Sequence, residues 1–163
     1  MNSMRCFALF LGFPVFAMAD CGNPECVAVE YFKAHISQDV ETLYTLTVES
    51  KRGDLEEFAD SYYEMHYTPS VFKEYWEENA HIEVAGVETG DKVSRVNLEG
   101  RYPDWISVAT DRTMMGKDLI SDSDWLSFVD ALENMDVEMI TQYDDVFLIH
   151  DEGRWRVLRP VFH

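Results

Sequence analysis

The sequence predicts an α+β domain, with N-terminal helices packed on the concave apolar face of a curved, mostly antiparallel sheet. Three observations carry that prediction. Apolar residues recur at helical spacing as far as Trp76. From His81 onward they alternate with polar ones. No internal repeat, low-complexity tract or linker divides the chain, so both halves belong to one domain, 20–163, with a helical insertion near 111–136.

The first 19 residues stand apart from this pattern. Arg5 precedes an apolar run from Cys6 to Phe16, which ends in Ala17-Met18-Ala19, the small-x-small pattern cut by signal peptidase. The run is short for a membrane span. Asp20 before Cys21 argues against a lipid-modified cysteine. The expected product is periplasmic or secreted, without membrane insertion. Cleavage removes Arg5 and no acid, leaving the mature chain one charge more negative than the −18 of the whole. Such a charge repels nucleic acid and anionic membrane surfaces, favours cationic partners and promotes solubility.

Cys6 leaves with the leader, and Cys21 and Cys26 remain in DCGNPEC. In an oxidising compartment an even count predicts a disulfide, Cys21–Cys26. A loop this short contributes about 2 kcal/mol at best. Four intervening residues do not suit a redox pair, and no partner ligands stand nearby for metal thiolates.

The elements follow in order. Pro24 suits a first helical turn, before Cys26, Val29, Phe32 and Ile36 at helical spacing. Asp39 can cap a second helix with Val40, Leu43 and Leu46, and Gly53 breaks the chain. Asp54 with Glu57 forms a candidate capping box ahead of Leu55, Phe58, Tyr62 and Met65. Thr68-Pro69 opens a further helix with Phe72, Tyr75 and Trp76.

HIEVAGVETGDKVSRVNLEG reads as strand, turn, strand. A loop over Thr89 to Asp91 pairs Glu88 with Lys92 and places Ile82, Val84, Val96 and Leu98 on one face, with Gly86 marking a bulge. DWISVAT reads as a third strand, followed by a helix capped by Ser123. A long strand from Val137 to His150 and a last one from Arg154 to Phe162 complete the sheet. Their hairpin, with Asp151-Glu152-Gly153 as a three-residue loop, pairs Ile149 with Trp155 and Phe147 with Val157 as the core face. The other face then carries Val146, Leu148 and Leu158 as an exposed apolar strip, which suggests a homodimer through the outer sheet face.

VAVEYFKAHISQDVETLYTL, VETGDKVSRV and the closing VFLIHDEGRWRV together resemble the nuclear transport factor 2-like superfamily, in its small exported bacterial branch. The resemblance implies a cone of curved sheet around helices, often with a pocket and often dimeric through the sheet. Members of that fold include isomerases, dehydratases and non-enzymatic binding modules, and no catalytic residue carries over to this chain.

The stretch ADSYYEMHYTPS is the richest in chemistry. Asp60, Tyr63, His66 and Tyr67 fall at helix-compatible spacings, and such a set around an apolar cavity could enolise or dehydrate a small substrate. The competing reading is a solvated helix end. Tyr62, Tyr75, Trp76 and Trp125 are the candidate ligand-pocket aromatics, at spacings that equally suit core packing. The five histidines show no HxH or HxxxH spacing and no EF-hand pattern occurs, so no metal site and no cofactor are expected. The expected function is an exported, non-catalytic binding domain for a small apolar ligand or a protein partner. The alternatives are an isomerase or dehydratase using the Asp/Tyr/His pocket, and a periplasmic immunity or inhibitor protein against a cationic toxin.

Overall fold

The computed structural model describes residues 21–66, 68–114, 119 and 121–159. The expected leader, residues 1–19, and Tyr67 lie outside the described residues. Five helices come first: α1 (Pro24–Ser37), α2 (Val40–Leu46), α3 (Glu49–Arg52), α4 (Leu55–His66) and α5 (Ser70–Asn79). Strands β1 (His81–Thr89) and β2 (Val93–Pro103) follow, then helices α6 (Trp105–Met114) and α7 (Asp122–Asn134), then β3 (Met139–Asp151) and β4 (Arg154–Arg159). The fold is α+β, with one four-stranded antiparallel sheet in the order β1-β2-β3-β4.

Local signals explain the helix ends. Asn23 accepts from the Cys26 amide at 2.8 Å, Pro24 occupies the first turn, and Cys21 is disulfide-bonded to Cys26 with a Cα–Cα distance of 5.3 Å. Gln38 ends α1 in the left-handed conformation, φ 53°. Asp39 and Asp54 accept from the amides of Thr42 and Glu57 at 3.1 and 2.9 Å, capping α2 and α4.

Helix α1 is buried on several sides through Val27, Ala28, Tyr31, Phe32, Ala34 and Ile36, and it contacts all four strands. Against it lie Leu43, Val96, Leu98, Val146, Leu148 and Val157 in one core. A second core joins Phe72 and Tyr75 of α5 to Phe128, Val129 and Leu132 of α7, with Trp105 and Val108 of α6 packed against it. The β4 edge is partly covered: Thr47 bridges Val157 in parallel, and the Val48 amide donates to the Val157 carbonyl at 2.9 Å.

Several expectations are corrected. DWISVAT is not a strand but the start of α6, because Asp104 caps it and Trp105, Val108 and Ala109 turn to the second core. The cap of α7 is Ser121 rather than Ser123, in a capping box with Asp124. In the first hairpin Glu88 pairs with Arg95, not Lys92. A bulge between Val84 and Gly86 then shifts the register, so that Ile82, Val84, Val96 and Leu98 still share a face.

The closing hairpin differs by one residue. Its loop is the two-residue Glu152-Gly153, both with positive φ (48° and 80°), as a primed turn requires. Asp151 pairs with Arg154, His150 with Trp155 and Leu148 with Val157. A one-residue slip exchanges the two faces of a strand. Val146 and Leu148 are therefore core residues, 5% and 1% exposed, while Phe147 is 42% exposed. The exposed strip expected from Val146, Leu148 and Leu158 does not exist. Leu158 is half-buried, and the large apolar side chains exposed on the outer face of β2 and β3 are Val93, Met139, Tyr143 and Phe147.

Candidate functional site

The space between α1 and the sheet, where a pocket was expected, is filled by the first core. A cleft of about 320 Å³ opens elsewhere, lined by Tyr31 of α1, Lys51 and Arg52 of α3, Gly53, and Glu57, Phe58, Ser61, Tyr62, Met65 and His66 of α4. None of the described strand residues contributes to that lining. The volume lies at the low end for small-molecule sites, and the lining is mixed: Tyr31, Phe58, Tyr62 and Met65 supply apolar wall, while Lys51, Arg52, Glu57, Ser61 and His66 supply polar or charged groups.

Gly53 makes the cleft possible. Its φ of 62° lies where side chains with a Cβ are strained, and it lets the chain reverse between α3 and α4. Lys51 and Arg52 are thereby set beside Glu57 and Phe58. Arg52 is held in place: its Nη1 donates to the Tyr44 carbonyl at 3.1 Å, and its guanidinium lies 4.4 Å from the Tyr44 ring centroid. The Tyr44 hydroxyl in turn donates to the Gly53 carbonyl at 3.1 Å.

Behind the cleft wall lies a small polar network. The Tyr62 hydroxyl donates to the His35 carbonyl at 3.0 Å and lies 2.9 Å from His35 Nδ1. The His35 and His66 rings meet edge to face at 5.0 Å, and Tyr62 tilts against His66 at 5.1 Å. Gln38 ties the two helix ends together by donating from Nε2 to the His66 carbonyl at 2.7 Å. Burial, with His66 beside it, pushes the His35 imidazole down to about 3. Burial lowers His66 too and raises Tyr62, and it pushes Tyr31 up to about 12. Near neutral pH the two imidazoles and both phenols are uncharged.

The expected residues divide. His66 and Tyr62 reach the cleft. Asp60 and Tyr63 are exposed and do not line it, and Tyr67 lies outside the described residues. Tyr75, Trp76 and Trp125 pack in or against the second core with Phe72, Trp105 and Phe128. Among the described residues, no group of three or more His, Cys, Asp or Glu side chains could hold a metal ion. No described helix is long and apolar enough to cross a membrane.

No family model matches the chain, and no curated protein matches it. The chain is similar to the solution structure of a SEC-C motif containing protein from Rhodopseudomonas palustris, at 10% identity and a TM-score of 0.43, over 86% of this chain and 78% of that one.

Sequence reasoning passed over His35, Tyr31, Lys51 and Arg52. His35 shows no motif, because its partners come from the far end of α4. Lys51-Arg52-Gly53-Asp54 did leave a trace, as a cation pair before a glycine in a strongly acidic chain.

Proposed function

We propose that the chain is an exported, non-catalytic binding domain that takes a small ligand in the cleft between α1, α3 and α4. The supporting observation is the cleft itself: the body of Tyr31, Phe58, Tyr62 and Met65 forms an apolar wall, and Lys51, Arg52, Glu57, Ser61 and His66 add polar groups that can orient a ligand. An acid–base enzyme needs a group held near neutrality and facing the substrate. The Tyr62 hydroxyl is bonded to His35 instead. Glu57, the carboxylate of the cleft lining, is exposed rather than buried. Within this reading the fold is a variation on the nuclear transport factor 2-like cone, consistent with helices packed on one face of an antiparallel sheet.

A protein partner is the second reading. Val93, Tyr143 and Phe147 leave apolar surface on the outer sheet face, beside the Arg95–Asp145 ion pair at 2.6 Å. A homodimer through this face would cover it. One measurement addresses both readings. Native mass spectrometry of chain exported with its own leader should show a mass above the polypeptide that disappears on denaturation. A bare monomer at all concentrations would count against both.

A further inference from the structure

We propose that the cleft selects a monocarboxylate carrying a small aromatic or apolar body, with Lys51 and Arg52 binding the carboxylate. This rests on the cleft being the binding site and adds the ligand class. The apolar end of the site is the ring of Tyr62 with Phe58, Tyr31 and Met65. Because the Tyr62 hydroxyl is engaged by His35, the side chain offers the cleft an aromatic surface.

The charged end is Lys51 with Arg52. Among the described residues neither cation has a carboxylate within ion-pair distance, although acids outnumber bases 31 to 13 in the chain. A guanidinium carries five N–H donors. Arg52 uses Nη1 on the Tyr44 carbonyl, and its Nε is out of water with no acceptor. Stacking on Tyr44 fixes the group before any ligand arrives, so the ordering cost of binding is already met. A carboxylate supplies the acceptor atoms that the guanidinium lacks, in the planar geometry that suits it.

A single negative charge fits better than two. Glu57 lines the same cleft, and the chain as a whole carries −18. A dianion such as phosphate meets that repulsion twice over, and it brings no apolar body to cover the aromatic wall.

The test is an amide and side-chain NMR titration of the folded chain at fixed ionic strength, with benzoate, benzamide and inorganic phosphate as probes. Benzoate should move the Gly53, Tyr62 and His66 signals saturably and bind at least about tenfold tighter than benzamide, the neutral shape match. Phosphate should leave those signals in place. Arg52→Gln and, at a more exposed position, Lys51→Gln should each weaken benzoate more than benzamide and so erode the preference for benzoate. Equal binding of benzoate and benzamide would overturn carboxylate selection and leave the cleft as an apolar site. Phosphate binding as well as benzoate would overturn the need for an aromatic body. If neither aryl compound moves the cleft signals, the ligand class is wrong, and the retained mass described above then reports separately on whether the chain binds a ligand at all.

Discussion

Two groups of aromatic side chains occupy this small molecule, and they treat their polar atoms differently. Around α5, α6 and α7, Phe72 meets Tyr75, Trp76, Trp105, Trp125 and Phe128 at ring separations between 5.0 and 6.2 Å. A buried polar tip there, Trp76 Nε1, has no acceptor among the described residues. Between α1 and α4, by contrast, Tyr62 bonds His35 and Tyr31 bonds the Thr47 side chain, and the group borders an open cleft. The first cluster holds helices together by burial and dispersion. The second spends part of its packing on a hydrogen-bonded network, which fixes side chains beside a space left unfilled. Similar residue types thus serve packing in one place and a candidate site in the other.

The strongest way to break the comparison is Phe72→Ala. Phe72 is among the largest fully buried side chains and touches rings from three helices. Truncation should cost about 3–5 kcal/mol, read as a shift in the urea midpoint. The cleft signals should persist in whatever fraction stays folded. A loss below about 2 kcal/mol would mean that α6 and α7 can collapse into the space, and that the second core is a loose satellite.

The polar cluster should announce itself through pH. The native state keeps His35 neutral until the pH approaches about 3, whereas an unfolded histidine takes its proton near 6.5. As the pH falls below about 6.5, the unfolded chain therefore binds the extra proton first. Stability is fully present above that point and declines down to about pH 3. The loss for one such group is about 2 kcal/mol between pH 7 and pH 5. His66 is shifted in the same direction and adds to it. Urea unfolding at the two pH values should show a smaller difference in His35→Gln than in the parent chain. An unchanged difference would place the acid sensitivity in the carboxylates instead.

The two hairpins show how far the sequence can be read. In the first, the alternation of Ile82, Val84, Val96 and Leu98 identified the core face correctly although the pairing near the turn was wrong, because the bulge beside Gly86 restored the phase. In the second, both faces of β3 are apolar: Val146 and Leu148 against Phe147 and Ile149. Alternation then says nothing, and the turn geometry decides. Glu152 in a positive-φ position is what the sequence did not advertise. DWISVAT fails for a related reason, since its β-branched residues suit a strand until tertiary packing on Phe72 and Phe128 favours a helix. At the cleft, His66 and Tyr62 were legible because they lie on one helix. Arg52 in the lining and His35 behind the wall were not, since only the packing of α1, α3 and α4 brings them to the site.

The smallest expected effect lies at the start of α7, and it separates local from tertiary support in the packed cluster. Ser121 accepts from the Asp124 amide at 3.3 Å, and Asp124 accepts from the Ser121 amide at 2.9 Å. Asp122 and Asp124 also place negative charge at the positive end of the helix. Ser121→Ala removes the cap and should cost about 1 kcal/mol. Ser123→Ala, two residues along, removes a hydroxyl that the Ser121 hydroxyl meets at 2.9 Å but no cap, and should stay within about 0.5 kcal/mol of the parent. Helix α7 packs on α5 and α6, so a cap that matters must act through the Phe72 cluster. Ser121→Ala combined with Phe72→Ala should then cost less than the two changes separately, because a helix already loosened at its core has less to lose at its end. Strict additivity would show that the cap stabilises α7 by itself, and that the aromatic cluster and the helix ends are independent supports.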